Sequence, residues 1–366
     1  MGVRPMNRGT SIPLTELARS LFRKQQTVMI PRIAMTLGDV AGIGPEIVAR
    51  AVIDERLRQC CHPVVVGHPD VLRRATQLIG ATCEIVSVPS LAAIDWSSPA
   101  IPCWNPSEVD VSDVPVGVID ARAGRAAYDY LVASTGAALA GTLQAITTAP
   151  LNKAALHAAG LDFPGHTEIL ARECGVSEFA MMLYLPPGEP LRGPYGLGVA
   201  HVTLHTSIRS VPGLLSTPHI QETIQLIDRF LKRVGCQSPR VGVCALNPHG
   251  GEGGLFGNEE AELIAPAVQA AQRDGINTTG PIPADALLRR AVHGEFDGVA
   301  AMYHDQGHIA LKLIGFERAV NVTLGLPIVR TSPSHGTAFD IAWQGKARAD
   351  GFLEAVQTAA ALARHA

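Results

Sequence analysis

Several protein classes are excluded by what this sequence lacks. Aromatic residues make up 5% of its 366 positions, too few for a base-stacking surface. A formal net charge of −3 gives no electrostatic footprint for nucleic acid or an anionic membrane. No apolar run reaches the roughly 18 residues that a membrane-spanning helix needs. The seven cysteines stand at 60, 61, 83, 103, 174, 236 and 244. Their number is odd and no C-x-x-C occurs, which argues against a disulfide framework or a zinc knuckle and fits reduced thiols in a cytoplasmic protein. No G-x-G-x-x-G follows an apolar run, so the Rossmann dinucleotide fingerprint is missing too. What is present is a chain 47% hydrophobic and 17% charged, the composition of a well-cored globular protein long enough for two domains.

Residues 1–30 differ from the rest. Arg4, Arg8, Arg19, Arg23 and Lys24 face only Glu16, and TELARSLFRK suits a short amphipathic helix. The segment loosely resembles an organelle-targeting peptide; the simpler expectation is a dispensable extension, or a start codon placed too early. Beyond it, short apolar runs alternate with helical stretches, the rhythm of an α/β fold. RIAMTL (32–37), PVVVG (63–67), AITTAP, GLGVAHVTL (196–204), RVGVCAL (240–246) and GVAAMY (298–303) read as strands. PEIVARAVIDERLR, with Pro45 early in it, reads as one helix, as do PDVLRRATQLIG, residues 122–141, ETIQLIDRFLKRVG and NEEAELIAPAVQAAQRDG. Residues 97–115 read as a loop, and LPPGEPLRGPYGLG (185–198) as a surface loop or hairpin.

Polar residues follow each strand: TLGD, TTAPLNK, TLHTS, LNPHGGEGG and MYHDQGH. In open α/β sheets ligands bind at that carboxyl edge. His205, His249 and His304 all fall in such loops, 44 and 55 residues apart, so only the fold can bring them together. They suit an open three-histidine metal site; alternatively each caps a loop or packs in the core. His201 and His205 lie four apart on a strand and so share a face, and His304 and His308 do so if a helix begins after Tyr303. His166 in FPGHTE sits beside Gly165, which permits close ligand approach, and Thr167 is a candidate N-cap for the following helix. Lys312, Asn321, Arg330 and Thr331 punctuate an apolar stretch; buried cations there need a phosphate, a carboxylate or a protein acid such as Asp305 or Glu317. In MTLGDVAGIGPE (35–46) the glycines space as G-x-x-x-G-x-G, with proline opening a helix, not as a nucleotide loop.

Taken together, TLGDVAGIGPEI, TAPLNKAAL, FPGHTE, NPHGGEGGLFG, GPIPADAL, AMYHDQGH and NVTLGLPIVRTSPSHGTAFDIA resemble the 4-hydroxythreonine-4-phosphate dehydrogenase family over roughly residues 31–360. That family belongs with the isocitrate and isopropylmalate dehydrogenases. The resemblance implies a two-domain α/β subunit with its active site in the interdomain cleft, and a homodimer whose subunits complete each other's sites. The implied division is 31–157 with 335–366 for the first domain. The second, 158–334, would carry the metal ligands and dimer contacts.

By the same likeness His205, His249 and His304 hold a divalent metal, with zinc the first choice and cobalt, nickel, manganese or magnesium as alternatives. His166, Thr167, Lys312, Asn321 and Arg330 contact a small phosphorylated hydroxy acid. The implied reaction is NAD- or NADP-dependent oxidation of 4-phosphooxy-L-threonine at C3, then decarboxylation to 3-amino-2-oxopropyl phosphate on the route to pyridoxal 5′-phosphate. Asp305 and Lys312 are alternative proton relays. SPSHGTAFDIAWQGKA (332–347) is similar to the cofactor segment of isopropylmalate dehydrogenases, which assigns His335, Gly336, Thr337 and Asp340 to the adenosine part; Trp343 departs from that pattern, where a glycine is usual. Asp39 becomes a hydrogen-bonding strut. Relatives acting on 4-phospho-D-threonate or 4-phospho-D-erythronate are the alternative, and His308 after HDQG resembles either branch. A cis-dihydrodiol, lacking phosphate, fits the cationic series poorly. A three-histidine hydrolase without nicotinamide is the remoter reading.

Overall fold

The structure, a computed structural model, describes residues 30–364; the expected amphipathic helix in TELARSLFRK lies outside them. The described strands form one twelve-stranded sheet in the order β3-β4-β2-β1-β5-β12-β11-β6-β7-β10-β8-β9. These are β1 (Arg32–Thr36), β2 (His62–Val66), β3 (Ile85–Val88), β4 (Ile101–Trp104), β5 (Ala145–Thr148), β6 (Ala180–Leu185), β7 (Leu197–His201), β8 (Val241–Cys244), β9 (Thr278–Ile282), β10 (Gly298–Ala301), β11 (Val320–Leu324) and β12 (Val329–Pro333). β1 to β5 and β12 run parallel to one another, and so do β7 to β10. Between the groups β12, β11, β6 and β7 pair antiparallel, so the two parallel groups point opposite ways. Both are buried on two faces, and their strands therefore read as near-continuous apolar runs: β5 and β8 are buried throughout.

Each expected strand forms. β3, β4, β6, β9, β11 and β12 were not anticipated; β4 lies inside the expected loop 97–115. β12 shows why. Its sequence is VRTSP, yet every residue is buried, so a polar strand at the centre of the sheet carries no apolar signature. β6 and β11 are short, and short apolar runs do not separate strand from helix. The 185–198 segment joins β6 to β7 as a hairpin, as expected.

The expected helix 45–58 is instead two, Gly44–Val52 and Glu55–Cys60. Asp54 ends the run: its backbone is extended and its carboxylate accepts from the Arg56 amide at 2.9 Å. A side chain that satisfies the first amides of a new turn favours a cap over helix interior. Asp54→Ala is therefore expected to lower stability by about 1 kcal/mol in urea unfolding. A gain in stability would restore the single continuous helix, in which alanine is the better residue.

Candidate active site

The antiparallel strands at the centre of the sheet supply the floor of the site. Side chains alternate faces along a strand, and Asn321 pairs with both Leu183 and Ser332. Met181, Leu183, Asn321, Arg330 and Ser332 consequently share one face and line a cavity of about 200 Å³. Thr331, grouped with Arg330 by the sequence reading, turns to the other face, where its hydroxyl donates to the Ala355 carbonyl at 2.8 Å. The expected crevice at one carboxyl edge is corrected accordingly. Strand-end loops wall the cavity, but its floor is a sheet face.

Arg330 is 1% exposed. It donates to the Thr323 hydroxyl at 3.2 Å and to the Thr148 hydroxyl at 2.7 Å, while its Nε is buried without a partner. Burial pushes its pKa down to about 9, opposed by the charge of Glu168; it remains a cation at neutral pH. The Asn321 side-chain oxygen is likewise buried and unpartnered. A buried cation held only by hydroxyls is costly unless an anion completes its shell.

The first wall comes from the loops after β5. Pro150, Leu151 and Lys153 meet Gly165, His166, Thr167 and Glu168 around the cavity. The helix begins at His166 with Gly165 as its cap, so Thr167 is not the N-cap: it lies one residue inside, facing the cavity. Burial, reinforced by the Arg330 charge, holds His166 well below the usual imidazole range. At neutral pH it is a neutral group beside a cation.

Histidines build the opposite wall. β7 ends at His201, so His205 lies in the loop beyond it and the shared strand face does not form. A helix does begin at His304, which stacks the His304 and His308 rings at 3.8 Å between centroids. His205 and His304 stand 5.9 Å apart. His304 Nδ1 donates to Asp305 at 2.6 Å, which turns its Nε2 away from that carboxylate. Burial lowers the pKa of His205, keeping it a neutral donor. His205 belongs both to the main cavity and to a second one of about 460 Å³, lined also by His304 and Asp305. As adjacent imidazoles, one oriented by a carboxylate, His205 and His304 fit two metal positions in their chemistry. His249 sits on the separate loop Pro248–Gly254, and among the described residues no three histidine, cysteine or acidic side chains group closely enough to hold a metal ion.

The segment after β12 closes the cavity. His335 and Gly336 line it, and nothing lies within 4 Å of where a Cβ on Gly336 would stand. That open, polar cradle is compatible with a nucleotide. Thr337 is partly buried and Asp340 is exposed beyond the cavity lining. The MTLGDVAGIGPE loop packs directly beneath: the Ile43 amide donates to the Thr337 carbonyl at 3.0 Å, and a Cβ on Gly42 would stand 2.8 Å from that oxygen. Trp343 donates from its indole to the Val40 carbonyl at 2.9 Å and lies under Arg74, so it braces the loop. Lys312 is partly buried outside the cavity lining; its charge helps depress both His308 and His335.

The cavity thus gathers His166, Thr167, His205, Asn321, Arg330, His335 and Gly336, with His304 and Asp305 next door. The sequence reading had not assigned Thr148, Lys153, Glu168, His201 or His308. TTAPLNK and HDQGH held three of them in plain view at strand ends.

A buried cation facing neutral imidazoles across an α/β sheet defines an enzyme of small anionic metabolites, and comparison with known proteins makes it an oxidoreductase. The family model described as pyridoxal phosphate biosynthetic protein PdxA matches residues 59–359, and the chain belongs to that family. A 4-hydroxythreonine-4-phosphate dehydrogenase of Geobacter metallireducens is 42% identical over 334 residues, 91% of this chain and 96% of that protein. A D-threonate 4-phosphate dehydrogenase of Pectobacterium atrosepticum is 42% identical, over 90% of this chain and 99% of its own. The crystal structure of the Klebsiella pneumoniae 4-hydroxythreonine-4-phosphate dehydrogenase superposes with a TM-score of 0.80 at 43% identity, covering 91% of this chain and 99% of that one.

Asp39, at the heart of the glycine loop, is fully buried; one oxygen accepts from the Ala41 amide at 2.9 Å and the other has no partner. Burial raises its pKa to about 6. A group whose folded pKa lies above its unfolded value stabilises the fold while protonated. Its contribution is present below about pH 4 and lost as pH rises through about 6, on the order of 3 kcal/mol. Asp39→Asn is expected to remove that part of the pH dependence of urea unfolding between pH 4 and 7. An unchanged profile would place the titration elsewhere.

Proposed function

We propose that the enzyme oxidises the C3 hydroxyl of 4-phosphooxy-L-threonine with NAD or NADP. The β-keto acid so formed loses CO₂ to give 3-amino-2-oxopropyl phosphate, for pyridoxal 5′-phosphate synthesis. The observation that carries this reading is Arg330: a cation 1% exposed, with two hydroxyl partners and an open Nε, asks for a phosphate or carboxylate. Lys153 on the same cavity and Lys312 behind it supply further charge. Asn321, with its side-chain oxygen unmet, and Thr167 orient the substrate, and neutral His166 donates or accepts without competing for the anion. His335, Gly336, Thr337 and Asp340 would hold the nicotinamide nucleotide, which accepts the hydride when bound.

The same reading assigns a divalent metal, zinc first, to His205 and His304 with His249 as third ligand. Bound there, a metal lowers the pKa of an alcohol and polarises a ketone. Asp305, hydrogen-bonded to His304, and Lys312 remain the two candidate proton carriers. In the proposed division 31–157 with 335–366, and 158–334, the joining of 335–366 to the first unit is supported by the packing of the helix Asp350–Ala363 against β5 and the helix Glu55–Cys60, while β12, assigned to the second unit, also packs on that helix and pairs with β5. A homodimer is supported by the exposed apolar stripe Ile309, Leu313 and Phe316 on the helix beside the site. Among the described residues no helix is long and apolar enough to cross a membrane, in keeping with a cytoplasmic enzyme.

Equal similarity to a D-threonate 4-phosphate dehydrogenase favours a second reading, in which 4-phospho-D-threonate or 4-phospho-D-erythronate is oxidised. NADH formation from the three substrates, with zinc, cobalt or manganese added and NADP tested in parallel, decides between them. Arg330→Met is expected to cut kcat/KM about a hundredfold or more, since charge-assisted hydrogen bonds to an anion are lost. Absence of reduced cofactor with every substrate would sink both readings.

A further inference from the structure

Behind the histidine wall lies a second, buried layer. His201 is 2% exposed and His308 7% exposed, and neither belongs to the residues assigned above. His201 Nδ1 lies 3.3 Å from the Met181 carbonyl. That oxygen can only accept, so His201 carries its proton on Nδ1 and its Nε2 is a lone pair. His308 Nδ1 lies 3.0 Å from that Nε2, so His308 must donate there, and its own Nε2 is a lone pair in turn. The chain of bonds from Met181 to His201 to His308 therefore fixes one tautomer. Gly307 makes the approach possible, because a Cβ there would stand 2.5 Å from His201 Nε2.

His308 lines the main cavity with Arg330, Lys153 and Asn321, and among the described residues only its Nδ1 has a partner. Most of the charge around this cavity is cationic and suits the substrate's anionic ends. A fixed lone pair repels carboxylate and phosphate oxygens and must meet a donor. We propose that His308 is a substrate-contacting residue whose Nε2 accepts a hydrogen bond from the hydroxyl or ammonium group at C2 of the phosphorylated acid. His201 is the positioning residue that sets its tautomer. The C3 hydroxyl surrenders its proton in the reaction, whereas the C2 donor persists through it and distinguishes one phosphorylated acid from another. This rests on the proposed function and deepens it: the site selects acids bearing a donor at C2.

The test compares 4-phosphooxy-L-threonine and 4-phospho-D-threonate with 3-hydroxy-4-phosphooxybutanoate, which lacks the C2 substituent. The wild-type enzyme is expected to prefer whichever C2-substituted acid it uses by about tenfold to a hundredfold in kcat/KM, the cost of leaving an acceptor on the cavity wall without its donor once substrate excludes water. His308→Leu should lose that preference; a preference fully retained in the variant would overturn the proposal. Nitrogen-15 imidazole spectra of the wild-type protein, with the His308 signal identified by its loss in His308→Leu, should show a protonated Nδ1 and a bare Nε2. His201→Phe should turn that signal into a mixture of tautomers. A His308 protonated on Nε2 in the wild type would overturn the proposal without any turnover being measured. Failure of the wild type on all three acids would instead overturn the functional reading beneath it.

Discussion

Arg330 is the constraint around which the rest is arranged. It sits on β12, the strand parallel to β5 on one side and antiparallel to β11 on the other. Its guanidinium is tied by Thr148 from β5 and Thr323 from β11. One side chain thus bridges the first parallel group to the antiparallel centre and spends two donors on hydroxyls. Its Nε is buried with no protein partner. Hydroxyl dipoles do not neutralise a cation removed from water, so the fold carries an unmet demand for negative charge at the place where its strands change direction.

The opposing wall answers a different need. Burial keeps His166, His205 and His308 below the usual imidazole range, so these rings present lone pairs and single protons rather than further charge. Asp305 orients His304, and His201 orients His308. Cation on one side and neutral nitrogen ligands on the other suit a substrate with anionic ends and a polar middle. Relatives that are each 42% identical to this chain carry different substrate names.

Much of this was legible in the sequence, for identifiable reasons. Six of the parallel strands announced themselves because burial on both faces demands continuous apolar runs, as in VVV of β2 and AITT of β5; β3, β4 and β9 carry partly exposed residues and did not. Arg330 and Asn321 stood out as polar residues in an apolar stretch. β12 did not read as a strand because its buried residues are arginine, threonine and serine, stabilised by cross-strand partners that only the fold reveals. For the same reason Thr331 could not be told from Arg330, although the two face opposite sides. The strand through His201 and His205 was read too long, since nothing in the residues marks its end. The MTLGDVAGIGPE glycines do not space as a nucleotide fingerprint. Gly42 is there to let the Thr337 segment approach, so the loop underlies the proposed cofactor cradle instead of forming it.

The central claim is that Arg330 anchors an anion. Calorimetric titration of inorganic phosphate into the metal-free protein, wild type against Arg330→Met, tests it most directly, with circular dichroism confirming that the variant is folded. The account expects a single phosphate site in the wild type, weakened at least about tenfold in the variant. Equal phosphate affinity in the two proteins would contradict it.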